Sequence, residues 1–503
     1  MDAKGGSMNS KKSSRRKFLK QGAALAGLAA LGSVPSARAQ SALPVWGASE
    51  PNGKEPGFVP EESVPKANIL KDPWTGEPLR DQEGNMVIDW TGAPQYQTYL
   101  RGAKAIGGPT YGWREKDWRL YGYRSPYDTA FRSGTAGGGD GAAPYSIKTP
   151  FHSMMNPLQH QKGIITPNGL HFHDDHGYEI PNVDPRQHRL MIHGMVDHPV
   201  VFTMEDLERL PSVSRVHYVE CNSNGTSNNS NRIQPWGTAQ DIYGQIGCSE
   251  WTGVLLSTLL EMAGVQKGAS WIWAGASDVE NHTKSIPLAK AMDDTIVAYG
   301  QNGEMLRPEQ GFPLRLVAPG WEGVTNIKRL ATIKVTNEMG PFHRESRTYT
   351  QLRPDNKIRW FRFEMNPRSI ILRPTGGQKL SSRGYYEIRG LAWSGGGKVK
   401  RVEVTVDGGK TWKDAQIQEP VFSKALTRFV FPWRWNGEEV MIASRCTDER
   451  GTPQPTTAEI SKIWGVDPSW FKRPVASTTA RMNIIQPWKI DGDGRVTNAI
   501  FSI

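Results

Sequence analysis

Hydrophobic and polar positions change their period along the chain, and this change predicts two folded regions. In the central region, apolar residues at helical spacing over 204–210 and 254–262 predict short helices. Apolar runs over 313–317 and 333–335 predict strands in the same region. The mixture predicts an α+β domain over residues 151–350.

From about residue 365 the pattern indicates β structure. Valines occupy alternate positions over 401–406, as in a half-buried strand, and Asp407-Gly408 then predicts a hairpin turn. Short apolar segments at 428–433 and 440–445 follow at intervals typical of a β sandwich. The sequence therefore predicts a separate all-β domain over 365–503.

The region from 40 to 150 has weak periodicity and is rich in Pro, Gly and aromatic residues, so it is predicted to be an N-terminal arm. The Gly-rich segment 134–141 predicts a flexible joint. Tryptophans at four positions indicate that the arm packs on another surface: Trp74, Trp90, Trp113 and Trp118.

Residues 1–39 have the features of an export signal. Arg15-Arg16 and further basic residues precede a short apolar run over 22–34, and Ala37-Arg38-Ala39 matches a small-residue cleavage site. The run is shorter than the roughly 18 apolar residues that suggest a membrane span. Paired arginines before Phe18-Leu19 resemble the twin-arginine signal, which exports folded proteins, so we expect a periplasmic location. An ordinary secretory signal and a retained anchor are the alternatives.

Charge and cysteine content narrow the function classes. The 503 residues carry a formal net charge of +11, of which residues 1–39 contribute +7, leaving +4 on the rest of the chain. This remainder is too small to indicate a nucleic-acid partner, and we expect no transmembrane segment after residue 39. Three cysteines cannot form a disulfide framework for a chain of this size.

Cys221 is the first candidate for chemistry. A strand-like segment ends at this cysteine and continues into a loop rich in Gly and Asn, which would place the sulfur at the mouth of a pocket. A thiolate is a strong metal ligand, but an inert buried thiol is the better explanation of this cysteine taken alone. His171, His173 and His176 offer zinc spacing as another alternative.

Several collinear motifs resemble the sulfite oxidase family of molybdenum enzymes. They begin with Glu220-Cys221-x-x-Asn224 and continue at 248–256, 285–291, 298–303, 307–315, 319–323 and 326–328. The segments 390–397 and 407–412 resemble that family's immunoglobulin-like dimerisation domain. The resemblance covers roughly 150–503 and implies a molybdopterin domain followed by a sandwich that forms a homodimer.

By this resemblance, Cys221 is the protein ligand of a molybdenum–molybdopterin cofactor, and Tyr349 and Asp174 are further active-site residues. Tyr349 lies 21 residues after Lys328, as the family's active-site tyrosine does. Gln310 replaces a family histidine. The cofactor-binding residues implied are Phe172, His173, Asp174, Asp175, His176, Asp278, Gln310, Arg315, Asn326, Ile327 and Lys328. No Cys-x-x-Cys-His motif occurs, so we expect no haem on this chain.

Departures from the family pattern concern the substrate. Asp174, Gly225, Thr226 and Asp491 occupy positions where sulfite-oxidising enzymes carry cations. Carboxylates repel a dianion, so free sulfite is a disfavoured substrate. The motifs at 248–255 and 298–322 resemble the sulfane dehydrogenase branch, the molybdenum subunit of the Sox system.

That branch implies oxidation of sulfane sulfur held on a carrier-protein cysteine, with electrons passed to a c-type cytochrome. Two other hypotheses stay open. One is a cytochrome-linked sulfite dehydrogenase, and the other is a non-catalytic exported binding protein with a vacant pocket.

Overall fold

The computed structural model describes residues 130, 132–134, 153–174, 180–181, 183–225, 235–277, 282–342, 345–346, 349–352, 357–359, 363–469, 483–500 and 502–503. The predicted signal peptide and almost all of the predicted arm lie outside these residues, and so do the four tryptophans of the arm. The predictions about export and about the arm therefore remain predictions, as do the domain boundaries.

A three-stranded antiparallel sheet joins the end of the predicted arm to the central region. Its order is β1 (Ser133–Gly134), β2 (Ser153–Met155) and β3 (His173–Asp174). Gly134, the first residue of the predicted flexible joint, is therefore in a strand, and 135–150 lie outside the described residues. The sheet fixes β3, which carries two of the predicted cofactor contacts.

Two five-stranded sheets form the rest of the central region. Their strands are β4 (Leu190–Gly194), β5 (Val200–Phe202), β6 (Ser212–Glu220), β7 (Ile246–Leu255), β8 (Trp271–Ala276), β9 (Thr283–Pro287), β10 (Ile296–Gln301), β11 (Glu304–Met305), β12 (Arg315–Val317) and β13 (Leu330–Thr336). One sheet has the order β11-β10-β7-β6, with β12 on β10, and the other has the order β5-β4-β13-β8-β9. Only β4 and β13 pair in parallel among these described strands.

Short helices connect the strands: α1 (Met204–Glu208), α2 (Ala239–Tyr243), α3 (Leu256–Ala263) and α4 (Leu288–Asp293). Helix α1 begins at a capping box in which the Thr203 side chain accepts from the Asp206 amide, satisfying a backbone donor. The predicted helix over 254–262 is displaced, because residues 254 and 255 complete β7. Helix α3 then ends at Ala263 and is capped by Gly264, whose φ of 72° suits glycine.

The C-terminal region is a two-sheet β sandwich, as predicted. Its strands are β16 (Arg368–Arg373), β17 (Gly384–Trp393), β18 (Val399–Thr405), β19 (Lys413–Asp414), β20 (Gln416–Gln418), β21 (Thr427–Trp435), β22 (Val440–Asp448), β23 (Pro487–Ile490) and β24 (Val496–Asn498), following the small hairpin β14 (Gln351–Leu352) and β15 (Ile358–Arg359). The sheets have the orders β16-β17-β21-β20 and β19-β18-β22-β23-β24. Helix α5 (Thr457–Trp464) follows β22.

The predicted hairpin turn at Asp407-Gly408 is a longer loop. Strand β18 ends at Thr405 and its partner β19 begins at Lys413. The Asp407 carboxylate accepts from the amide of Thr411 at 2.9 Å and organises this loop.

The two regions share one hydrophobic core. Tyr218 and Cys248, on β6 and β7, belong to the same buried cluster as Trp393 and Phe429 of the sandwich. Burial of large aromatic side chains across this boundary stabilises the contact of the sandwich with the sheet that leads to Cys221.

None of the helices in the described part of the chain is long and apolar enough to cross a membrane.

Candidate cofactor site

Cys221 lies where sheet pairing stops. Strands β6 and β7 pair in continuous register as far as Glu220 opposite Ile246. The next four residues form a turn in which the Asn224 amide donates to the Cys221 carbonyl at 3.0 Å. This geometry directs the Cys221 side chain, which is 8% exposed, into a cavity of about 650 Å³ that is partly open to solvent.

The cavity brings together many of the residues that the sequence predicted. Eight of them line it: Phe172, His173, Asp174, Cys221, Gln310, Arg315, Asn326 and Lys328. These residues come from β3, the end of β6, the 310–315 segment and the 326–328 loop, so distant segments converge on one sulfur. The remaining lining residues were not predicted: Val219, Ala276, His282, Gly323, Val324 and Arg329.

Arg315 and Lys328 are held in place by their surroundings. The Arg315 guanidinium donates to the side-chain oxygen of Gln310 at 3.0 Å and lies 5.0 Å from the Trp251 ring. The Lys328 ammonium donates to the backbone carbonyl of Asp174 at 3.1 Å. Cations with fixed positions, buried for Arg315 and half-buried for Lys328, suit an anionic group such as a phosphate.

Arg329 is a third cation at the cavity. It is 5% exposed, its φ is 52°, and its guanidinium donates to the Pro308 carbonyl at 3.4 Å. A positive φ is uncommon for a residue other than glycine and is enriched at functional sites. Arg329 was not among the residues predicted to contact the cofactor, although it directly follows the predicted Lys328.

The cysteine sulfur lies beside a carboxylate. The Cys221 thiol donates to Asp174 Oδ2 at 3.8 Å and to the side-chain oxygen of Asn222 at 3.7 Å. Burial raises the pKa of the Cys221 thiol, and the negative charge of Asp174 raises this pKa further. A bound cation would reverse this effect by stabilising the thiolate.

The donor set fits a molybdopterin cofactor. One soft sulfur ligand and three cations line the same cavity. Close packing maintains its wall: a Cβ on Gly323 would lie 2.6 Å from the Glu220 carbonyl oxygen and 3.1 Å from the Cys221 Cα. The residues present would therefore hold the metal at Cys221 and the phosphate of the pterin near the cations.

Asn326 and Ile327 have structural contacts of their own. The Asn326 side chain accepts from the Ala318 amide at 2.9 Å and donates to the Glu322 carbonyl at 3.1 Å, so it orders the loop. Ile327 is 1% exposed and packs in the hydrophobic core instead of lining the cavity. Their roles toward the cofactor stay predictions.

Tyr349 lies behind the cavity wall. It is 1% exposed, and its ring packs edge-to-face on His282, which does line the cavity, with 6.0 Å between ring centroids. The buried Lys284 ammonium lies 5.0 Å from the Tyr349 ring and forms an ion pair with Glu345 at 3.2 Å. These contacts fix the tyrosine one ring away from the cavity.

The remaining predicted residues cannot be placed. Asp175, His176 and Asp278 lie outside the described residues. Within the described ranges, no group of three His, Cys, Asp or Glu side chains is arranged to hold a metal ion, and the zinc alternative stays untested because it needs His176. His171 packs beneath Gly247, its Nδ1 lies 2.9 Å from the Phe172 carbonyl oxygen, and burial lowers its pKa to about 3.

Comparison with known proteins gives the class. Residues 176–343 match the oxidoreductase molybdopterin binding domain, and residues 359–478 match the Mo-co oxidoreductase dimerisation domain. The mitochondrial sulfite oxidase of Mus musculus is 30% identical over 344 residues, covering 63% of this chain and 62% of that protein. The NADH nitrate reductase of Solanum lycopersicum is 31% identical over 399 residues, covering 69% of this chain and 41% of that protein. The chain belongs to the sulfite oxidase family of molybdopterin oxidoreductases.

A solved structure adds a more specific similarity. The sulfane dehydrogenase SoxCD from Paracoccus pantotrophus superimposes with a TM-score of 0.67 at 34% identity, covering 76% of this chain and 94% of that chain. The predicted family, fold class and cofactor are thereby confirmed. The chain spans about three fifths of the length of this sulfite oxidase and about two fifths of the length of this nitrate reductase.

Proposed function

We propose that this chain is the molybdenum subunit of a periplasmic oxidoreductase that oxidises sulfane sulfur on a carrier-protein cysteine. Electrons pass to a c-type cytochrome, and the C-terminal sandwich joins two copies in a homodimer. The main support for this substrate is the Asp174 carboxylate, which lies 3.8 Å from the Cys221 sulfur inside the cavity. The similarity to SoxCD and the match to a dimerisation domain support the same proposal.

The chemistry sets the stoichiometry. A bound molybdenum cofactor supplies two-electron redox chemistry with oxygen taken from water. Each round forms one S–O bond on the terminal sulfur of the carrier persulfide, consumes one water, releases two protons to solvent and passes two electrons to the cytochrome. The protein residues would bind and orient the cofactor: Cys221 would hold the metal, and Arg315, Lys328 and Arg329 would neutralise the pterin phosphate.

Asp174 accounts for the choice of substrate. The sulfite dianion carries two negative charges, and a carboxylate beside the metal ligand repels both at close range. A persulfide on a carrier arm brings less charge, and contacts between the two proteins add binding energy away from the reacting sulfur. The site therefore favours a tethered sulfur over the free anion.

A cytochrome-linked sulfite dehydrogenase is the second candidate, because three cations line the cavity and the relatives include sulfite oxidases. The full-length chain, purified after native export, separates the two in cytochrome c reduction assays with sulfite, thiosulfate and a persulfide-loaded carrier protein. Turnover of the carrier persulfide that is lost in Cys221→Ser supports the proposal. Efficient turnover of sulfite with no turnover of the carrier persulfide supports the second candidate instead.

The same purified chain tests the third hypothesis. A non-catalytic exported binding protein would contain no molybdenum after native export, whereas the proposed enzyme contains the metal.

Immunoblotting of periplasmic and cytoplasmic fractions tests the proposed location, with Arg15→Lys/Arg16→Lys as the variant that blocks twin-arginine export.

A further inference from the structure

The turn that carries Cys221 is held by hydrogen bonds on both sides. The Cys221 amide donates to the Gln245 carbonyl at 2.9 Å, and the Gln245 amide donates to the Asn224 side chain at 3.1 Å. Asn224 in turn donates from its side chain to Glu220 Oε1 at 3.0 Å. Residues 220–224 thus form a closed unit around the cysteine.

The sandwich domain reaches into this unit through Arg368, the first residue of β16. One Arg368 nitrogen, Nη1, donates to Glu220 Oε1 at 2.7 Å and to the Asn224 backbone carbonyl at 3.2 Å. Arg368 therefore bridges the residue before the cysteine and the last residue of the turn. Its guanidinium also lies 5.4 Å from the ring of Tyr243.

Trp393, the last residue of β17, completes the contact. Its indole nitrogen donates to Glu220 Oε2 at 2.8 Å, so both carboxylate oxygens of Glu220 bind the sandwich. The Glu220 and Arg368 side chains are 1% and 4% exposed. Burial of such a pair is costly, and a well-packed apolar pair would serve stability equally well. The arrangement therefore fits a demand for fixed geometry.

We infer that Arg368 and Trp393 are positioning residues for the Cys221 ligand, so the dimerisation domain is also part of the scaffold of the metal site. This inference rests on the proposed role of Cys221 as the molybdenum ligand. The physical reason is that a two-point bridge restricts the rotation of the turn, which sets where the sulfur points. A dimerisation role alone requires no contact with the cysteine turn.

Two variants of the full-length protein test the bridge. Arg368→Lys keeps the charge but shortens the side chain and so withdraws the single nitrogen that bonds to both ends of the turn. Trp393→Phe removes one donor and keeps most of the packing, so it remains informative if the lysine variant folds poorly. Arg445→Lys is the control for the arginine-to-lysine change itself, because Arg445 forms a half-exposed ion pair with Glu403 within the sandwich, at 2.9 and 3.2 Å.

The first readout is spectroscopic. In the molybdenum-loaded protein, we expect both test variants to shift or broaden the thiolate-to-molybdenum absorption band, and we expect the Arg445→Lys spectrum to match that of the wild type. A wild-type band in both test variants, with only a lower melting temperature, would reduce Arg368 and Trp393 to structural residues and overturn the inference.

The second readout uses the cofactor-free protein and needs no activity. Alkylation at Cys221 is followed by peptide mass spectrometry, with the buried Cys248 as the internal reference. We expect Cys221 to react about tenfold faster in Arg368→Lys, because the turn opens locally, while the rate at Cys248 stays unchanged. Equal acceleration at both cysteines would indicate global loosening and would contradict positioning. Cys221→Ser with an unaltered molybdenum spectrum would instead refute the proposed ligand itself.

Discussion

The Asp174→Asn variant tests the proposed substrate preference most sharply. The substitution removes one negative charge and keeps the shape of the side chain. The contact of Lys328 with the Asp174 backbone carbonyl does not involve the carboxylate, so it is retained. We therefore expect the change to alter the electrostatics of the cavity with little effect on its structure.

The expected magnitude follows from the distance between Asp174 Oδ2 and the Cys221 sulfur, which is 3.8 Å. An anion reacting next to that sulfur would lie about 6 Å from the carboxylate, where an effective dielectric of about 40 gives about 1.4 kcal/mol per unit of charge. A dianion gains about 3 kcal/mol from the substitution, which corresponds to about 100-fold in kcat/KM for sulfite.

Steady-state cytochrome c reduction at physiological ionic strength measures this gain. Asp414→Asn is the control, because Asp414 lies on the sandwich and pairs with Arg401 there. We expect the control to leave kcat/KM for sulfite unchanged. For a singly charged persulfide, Asp174→Asn should raise kcat/KM by at most about tenfold. An Asp174→Asn enzyme with unchanged sulfite kinetics would refute the electrostatic argument.

Three further predictions concern stability and catalysis. Burial lowers the pKa of His217 from 6.5 to about 4, so the unfolded chain binds more protons than the folded chain between these pH values. The free energy of unfolding, measured in urea, should therefore fall by about 2 kcal/mol when the pH is lowered from 7 to 5. His217→Gln should not show this loss. Gly311 has a φ of 101°, and a Cβ there would lie 2.8 Å from the Lys328 Cα. Gly311→Ala should therefore lower the free energy of unfolding by about 3 kcal/mol in the same assay. The control Gly303→Ala should lower it by about 1 kcal/mol, because Gly303 has a φ of 78° but open space where the Cβ would lie. Tyr349 packs on His282 behind the cavity wall, so Tyr349→Phe should keep the molybdenum content and lower kcat by less than about tenfold, and a loss of about 100-fold or more would show that the hydroxyl takes part in proton transfer.

The sequence predicted local structure well where a short pattern determines it. The apolar spacing over 204–210 predicted α1, and the alternating valines predicted β18, because both patterns act over a few residues. The boundary between β7 and α3 was missed, since the apolar residues 254 and 255 suit either element, and pairing with β10 makes them strand.

The candidate site was predicted mainly through family motifs, and its missing parts are tertiary contacts. His282 lines the cavity although nothing in its neighbouring residues marks it. The bridge from Arg368 to Glu220 joins positions separated by 148 residues, and its partner Trp393 lies 173 residues from Glu220. Contacts at such separations depend on how the sandwich packs, which no local period encodes.

The central claim is that Cys221 binds molybdenum, and X-ray absorption at the molybdenum edge tests it directly. The full-length protein, purified after native export, should contain about one molybdenum per chain, in keeping with a single cofactor site. Relative to the wild type, Cys221→Ser should show one sulfur atom fewer bound to the metal, or lose the metal altogether. A wild-type protein without molybdenum, or a serine variant with an unchanged sulfur count, would contradict the account.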